Sequence, residues 1–179
     1  MNKKDILIVC ALKMETQDKL KEYNVLYTGI GKVNATYQLA RRLMSFNSIK
    51  KVINFGTAGS KVLPIGKLVE CTRFIQRDMD KTALGFEKGE TAFENSIPMI
   101  LNFGNKQGLV CGTGDNFVQD INKELDIVDM EAYALAKVCY HNNIPFTSFK
   151  YITDNANEKS AKDWEQNLAD GVQEFKKQL

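Results

Sequence analysis

Histidine is almost missing from this chain: its 179 residues contain one, His141. That scarcity argues against a serine–histidine hydrolase triad, and it leaves any zinc site short of imidazole ligands. Cysteine is sparse as well. Cys10, Cys71, Cys111 and Cys139 show no CxxC spacing, and each falls in an apolar segment. They read as reduced core residues of a cytoplasmic protein, without a metal site. No apolar run approaches the roughly 20 residues that cross a bilayer, so no membrane partner is expected. Two lysines precede the apolar run at 6–12, but no small-residue cleavage site follows, and the run reads as a first strand instead of a secretory leader. Charge of one sign is also lacking. Lys and Arg total 24 against 22 Asp and Glu, and the lysines are dispersed, which argues against a nucleic-acid partner. No repeat, low-complexity tract or linker divides the chain. Residues 1–179 are therefore expected to form one domain, long enough to bury about two-thirds of its unfolded surface.

What remains is an alternation of short apolar runs and helical periodicity. Residues 6–11 form a continuous apolar run, as expected of a strand buried on both faces, and 14–22 turn helical with Glu15 at the junction. A first-turn glutamate favoured by the helix dipole would look the same. Residues 25–28 are a short strand followed at once by Gly29-Ile30-Gly31. Then comes a helix in which Val33, Tyr37, Leu39, Ala40, Leu43 and Met44 recur at helical spacing. A GxG ahead of a helix can cradle an anion, but the third glycine of a dinucleotide fingerprint is missing, and a tight turn alone accounts for both glycines. Residues 51–55 are another strand, running into the small-residue loop Gly56-Thr57-Ala58-Gly59-Ser60. A strand at 67–77 leads into a long polar segment, 78–98, a candidate active-site loop or partner contact. Residues 108–112 form a strand ending beside Phe117, an aromatic able to stack on a planar ligand or simply to join the core.

The last third carries the densest cluster. Asp129, Met130 and Glu131 stand where a short strand meets a helix at 131–141, and Asp154 follows a strand at 146–152. A terminal amphipathic helix over 160–179 places Trp164, Leu168, Val172 and Phe175 on one face. Alternating strands and helices imply an α/β fold, a three-layer αβα arrangement around a mostly parallel central sheet. Glu15, Thr57, Phe117, Asp129, Glu131 and Asp154 all lie just after strands, where open α/β sheets bind ligands. Paired carboxylates run glycosidic bond cleavage, one protonating the leaving atom while another activates water. Spacing alone reaches that chemistry as one candidate and goes no further. The carboxylates are scattered one per loop without a histidine, so no metal and no cofactor is implied.

Seven segments in order carry a more specific likeness: CALKMET, TGIGKVNA, NFGTAG, RDMDKTALGFEKG, GTGDNF, VDMEAYALAKVC and ITDNA. They resemble the purine nucleoside phosphorylase/nucleosidase family, and within it the bacterial 5'-methylthioadenosine/S-adenosylhomocysteine nucleosidases. The likeness runs from residue 6 to about 175 and is most specific at Met14-Glu15 and at Asp154-Asn155-Ala156. It implies the nucleoside phosphorylase-like fold with a mixed sheet, a small-molecule nucleoside substrate and a homodimer. By resemblance, Glu15 matches the glutamate that activates the attacking water, and Asp154 the acid that protonates the departing purine. Met130 and Glu131 match the pair beneath the ribose, and Thr57 stands where a serine usually orients the aspartate. Phe117 matches the aromatic stacked on the base, and the Val118 backbone is expected to contact the adenine edge. The family's phosphorylases carry an arginine three residues before that serine. Asn54 stands there instead, with no charge to hold phosphate, so water is the expected nucleophile. A phosphate-dependent phosphorylase and a non-catalytic nucleoside-binding protein are the alternatives.

The chain also departs from the family pattern. Asp129 replaces the usual glutamate, with a shorter reach to the ribose, and Lys150 replaces an arginine near the water site. A β-hairpin before Gly29 and a helix between about 98 and 107 are expected to be missing. The region near 90–98 is expected to shape the pocket for the 5' substituent across a dimer interface.

Overall fold

The computed structural model describes residues 3–46, 48–94, 96–104, 108–117, 124–157, 159–168 and 170–179. Its frame is set by β1 (Ile6–Cys10), whose alternating side chains serve two cores at once. Leu7 and Val9 join a cluster with Ala35, Leu39 and Leu43 of α2 (Lys32–Ser45) and with the apolar side of α3 (Ala132–His141). Ile8 and Cys10 point the other way, toward Leu20, Phe55, Val172 and Phe175. A strand with period-two side chains and no polar position must be covered on both faces. Helices on either side of the sheet give the expected three-layer αβα arrangement.

β1 pairs in parallel with β2 (Asn24–Tyr27) and β3 (Lys51–Gly59). β8 (Phe146–Asp154) runs parallel to β3, while β4 (Leu68–Gln76) lies antiparallel to β8. β6 (Leu109–Thr113) joins β4 in parallel, and β7 (Ile127–Asp129) joins β6. A two-residue edge strand, β5 (Leu101–Asn102), pairs with β4. β7 then meets β3 through one antiparallel contact, Gly59 opposite Val128. Strands β3, β8, β4, β6 and β7 therefore close on themselves, and the sheet is mixed as expected.

Three expected elements differ. The helix expected over 14–22 is the single turn α1 (Lys13–Thr16), because Gln17 and Asp18 both adopt positive φ, 46° and 59°. That turn drops Leu20 into the second core. The small-residue segment after residue 55 is not a loop: β3 continues through Thr57 to Gly59, held by β8 alongside with a bulge at Ala58 and Gly59. The terminal helix is two pieces, α4 (Ser160–Asn167) and α5 (Val172–Lys176). Gly171 between them packs so closely on Tyr151 that a Cβ would sit 2.4 Å from the ring. The polar segment after β4 holds one short 3₁₀ turn, Thr82–Leu84, and turns otherwise. Among the described residues no hairpin precedes Gly29, and none of those in 98–107 is helical. Among the described residues no helix is long and apolar enough to cross a membrane.

Candidate active site

The strand ends converge on one cavity of about 180 Å³. Its wall includes Glu15, Thr57, Gly59, Phe117, Met130, Glu131 and Asp154, together with Arg77 and Trp164. Four buried carboxyls, those of Glu15, Asp129, Glu131 and Asp154, thus reach one space from three strand ends.

Glu15 is fixed from both sides. Its Oε2 accepts from the Leu12 N–H at 2.8 Å and its Oε1 from the Thr57 N–H at 3.3 Å. The first contact closes the turn of α1; the second binds that turn to β3. Burial pushes the Glu15 pKa up, and the Leu12 N–H, the Lys150 charge and the Thr57 N–H offset only part of this.

Glu131 stands at the N-cap of α3, and its Oε1 accepts the Gly31 N–H at 2.8 Å. The Gly29-Ile30-Gly31 turn does cradle an acidic group, and that group is the protein's own Glu131 carboxyl. Gly31 has φ 92°, a conformation that suits glycine and turns its N–H toward Glu131. Burial, and then the neighbouring Asp129 charge, raise the Glu131 pKa to about 8 against the pull of Lys150 and Gly31.

Asp154 ends β8. Its Oδ1 accepts from the Ala156 N–H at 2.9 Å and its Oδ2 from the Thr153 hydroxyl at 3.1 Å. The residue expected to orient it, Thr57, is engaged elsewhere: the Trp164 indole N–H donates to Thr57 Oγ1 at 2.9 Å. Thr153 donates to Asp154 from the same strand, and the β3 bulge carries Gly59 against Asp154. Phe117 is half exposed and meets Trp164 edge-on, ring centroids 6.3 Å apart. Val118 lies outside the described residues.

Asp129 lines the cavity and is at the same time paired within the protein, to Lys150. Both Asp129 oxygens are taken by protein donors, and Lys150 Nζ lies 2.7 Å from Asp129 Oδ2 with both side chains only 1% exposed. Burial disfavours both charged forms, yet their mutual attraction holds Asp129 below the ordinary carboxylate range and Lys150 above the ordinary lysine range.

Two wall residues had no place in the sequence reading. Arg77, just past β4, donates to the Gly114 carbonyl at 3.1 Å and to Asn116 Oδ1 at 2.9 Å, clamping the turn that carries Phe117. Its signal was position alone, at the end of the strand expected over 67–77. Trp164 read as core because its spacing matched Leu168 and Val172; its hydrogen bond to Thr57 spans 107 residues and leaves no local trace. Among the described residues no group of three His, Cys, Asp or Glu side chains is arranged to hold a metal ion.

Comparison with known proteins gives the chain a family. The family model described as "Phosphorylase superfamily" matches residues 16–113 and 110–179. The 5'-methylthioadenosine/S-adenosylhomocysteine nucleosidase of Psychromonas ingrahamii is 33% identical over 180 residues, covering 85% of this chain and 77% of that protein. The protein of the same name from Anoxybacillus flavithermus is 32% identical over 170 residues, covering 80% and 72%. In fold, the chain is similar to a Helicobacter pylori MTAN variant with 5'-methylthioadenosine in its active site. That match has a TM-score of 0.86 and 22% identity, covering 99% of this chain and 98% of that one. The futalosine hydrolase of Helicobacter pylori is similar too, with a TM-score of 0.84 and 22% identity over 96% and 95% of the two chains.

Proposed function

This chain is a member of the phosphorylase superfamily, within its purine nucleoside phosphorylase/nucleosidase branch, and from that footing we propose that it hydrolyses the N-glycosidic bond of 5'-methylthioadenosine, S-adenosylhomocysteine or a related adenine nucleoside, releasing adenine. The observation that carries the reading is the meeting of Glu15, Glu131 and Asp154 in one cavity. Glu15 activates water, and burial, which raises its pKa, makes its carboxylate the stronger base. Asp154 hands a proton to the purine, so the base leaves neutral. Glu131 and Met130 hold the ribose, and Glu131 stabilises the positive charge that develops on the sugar. Phe117 stacks on the base, and the Val118 backbone meets its edge. No cofactor enters, and residues 1–179 act as one domain.

Asn54 supports water over phosphate as the nucleophile. It is buried, its Nδ2 donates to the Val9 carbonyl at 3.0 Å, and its Oδ1 accepts the Ser148 hydroxyl at 2.7 Å. A neutral side chain already engaged at both ends has little to offer a phosphate.

The enzyme works in the cytoplasm, in salvage of purines and methionine. Four free, buried cysteines support a reducing compartment. It works as a homodimer. Val33, Tyr37 and Met44 leave one side of α2 apolar and exposed, at 79%, 59% and 84%, and a second copy would cover it.

The test is adenine release from methylthioadenosine with and without phosphate, followed by chromatography. Release that ignores phosphate is expected. Strict phosphate dependence identifies a phosphorylase, and tight binding without release identifies a non-catalytic nucleoside-binding protein. Light scattering is expected to give twice the chain mass, and a monomer at assay concentration overturns the dimer.

A further inference from the structure

At the cavity wall lies an ion pair, Asp129 with Lys150 behind it, that the reaction described above does not use. Asp129 ends β7 and Lys150 sits within β8, two strands that flank β3 on either side. The pair meets beside Gly56, which stands opposite Lys150 in register. A Cβ on Gly56 would lie 3.3 Å from Lys150 Nζ and 3.1 Å from Glu15 Oε1, so the glycine leaves room for the ammonium to lie near Glu15 as well.

Asp129 is filled by donors. Oδ1 accepts from the Thr113 hydroxyl at 2.6 Å and the Cys111 thiol at 3.4 Å. Oδ2 accepts from Lys150 at 2.7 Å, the Ala132 N–H at 2.8 Å and the Glu131 N–H at 3.3 Å. The Thr113 hydroxyl in turn accepts the Tyr133 N–H at 2.8 Å. Three consecutive amides at the start of α3 are thereby satisfied by one strand-end network. The middle of that junction is where Met130 and Glu131 face the cavity.

A buried ion pair adds little stability over a well-packed apolar pair of the same volume. Stability therefore gives no reason to keep these charges here. We propose that Asp129 and Lys150 form a positioning pair for Glu131: Lys150 holds the Asp129 carboxylate in place, and that carboxylate fixes the first turn of α3 so that Glu131 meets the ribose. Neither group touches substrate. This assignment rests on the hydrolase reading, so its test includes a readout that needs no turnover.

Three variants separate positioning from plain structural support: Asp129→Asn, Lys150→Met and the double variant. An asparagine offers one acceptor oxygen where the carboxylate offered two, and its NH₂ faces donors. Each single variant buries an uncompensated group, so each is expected to melt below wild type and to lose kcat. The double variant removes both charges and is expected to recover most of the melting temperature. Its kcat, per folded site, stays down about tenfold or more, the scale of a displacement near 1 Å at a reacting group. Its KM moves by less than roughly threefold, since the base-stacking wall is untouched. Amide hydrogen exchange over residues 130–133 stays faster than wild type in the double variant. A double variant with wild-type kcat and wild-type exchange overturns the proposal, and so does a single variant that folds and leaves both unchanged. If wild type fails to release adenine, the hydrolase reading fails, and exchange at 130–133 still decides the positioning of the α3 junction.

Discussion

Gly59 is the position where one added methyl group should separate folding from catalysis. It ends β3, facing Val128 of β7 on one side and Asp154 of β8 on the other. A Cβ there would sit 2.5 Å from Asp154 Oδ1 and 3.2 Å from the Ala156 Cβ. Ordinary contact begins near 3.4 Å, so something must retreat by close to 1 Å. Gly59 is held by two strand pairings, whereas the Asp154 side chain is held by Thr153 and Ala156 of its own segment. The carboxylate is therefore the part that yields. Gly59 does not have positive φ, so alanine adds no backbone strain and the contact alone is being tested. Crowding of this kind costs about 1–3 kcal/mol of stability. Misplacing a reacting group by about 1 Å lowers kcat by up to ~10²-fold. Gly59→Ala should thus fold, melt a few degrees lower and release adenine one to two orders of magnitude more slowly. Asp154→Asn removes the proton outright and sets the floor, with a loss of about 10²–10⁴-fold. The measurements are initial rates of adenine release and a thermal melt for each variant. A folded Gly59→Ala protein with kcat within about twofold of wild type would refute the placement of Asp154 as the acid.

Protonation should also be visible in stability. Glu131 is raised from 4.5 to about 8, so between those values the folded state holds a proton that the unfolded chain has released. Stability from this group is then present at low pH and declines as pH climbs toward 8, and the raised Glu15 acts in the same direction. Asp129 is shifted downward and contributes only below that window. Melting temperature is expected to fall between about pH 5 and 8 and to fall less in Glu131→Gln; parallel curves for the two proteins would contradict the assignment. Trp164→Phe keeps the apolar wall but deletes the N–H given to Thr57. A net hydrogen bond of about 0.5–1.5 kcal/mol corresponds to a two- to tenfold drop in kcat/KM, and an unchanged value would show that this contact is idle. As Trp164 is the single tryptophan, its emission should respond to adenine in wild type and reports on the same wall directly.

Much of the scaffold could be read from local pattern. The continuous apolar run through Leu7, Ile8, Val9 and Cys10 predicted a doubly covered strand, and the two cores it serves are the reason the fold has three layers. Position after strands pointed to Glu15, Thr57, Phe117, Asp129, Glu131 and Asp154, and all six line one cavity. What local pattern could not carry was the length of elements and the choice of partners. Residues after Phe55 looked like a loop because glycine and alanine have weak strand preference, and only the neighbouring β8 makes them a strand. The terminal helix broke because Gly171 must pass against Tyr151, a contact between distant residues. Thr57 resembled the residue that orients Asp154, yet its hydroxyl faces Trp164. Lys150 and Asp129, separated by 21 positions, read as two independent departures, and the structure joins them as one buried pair.

The single antiparallel contact at Gly59 and Val128 has a consequence for how the enzyme matures. Thr57 and Asp154 approach that seam from one side, and Asp129, Met130 and Glu131 leave it on the other. A chain with every helix formed and every other strand paired, but with this seam unzipped, would be nearly native by spectroscopy and inert toward a nucleoside. Turnover is thus a gauge of topological completion, and during refolding it should lag behind the recovery of helical signal.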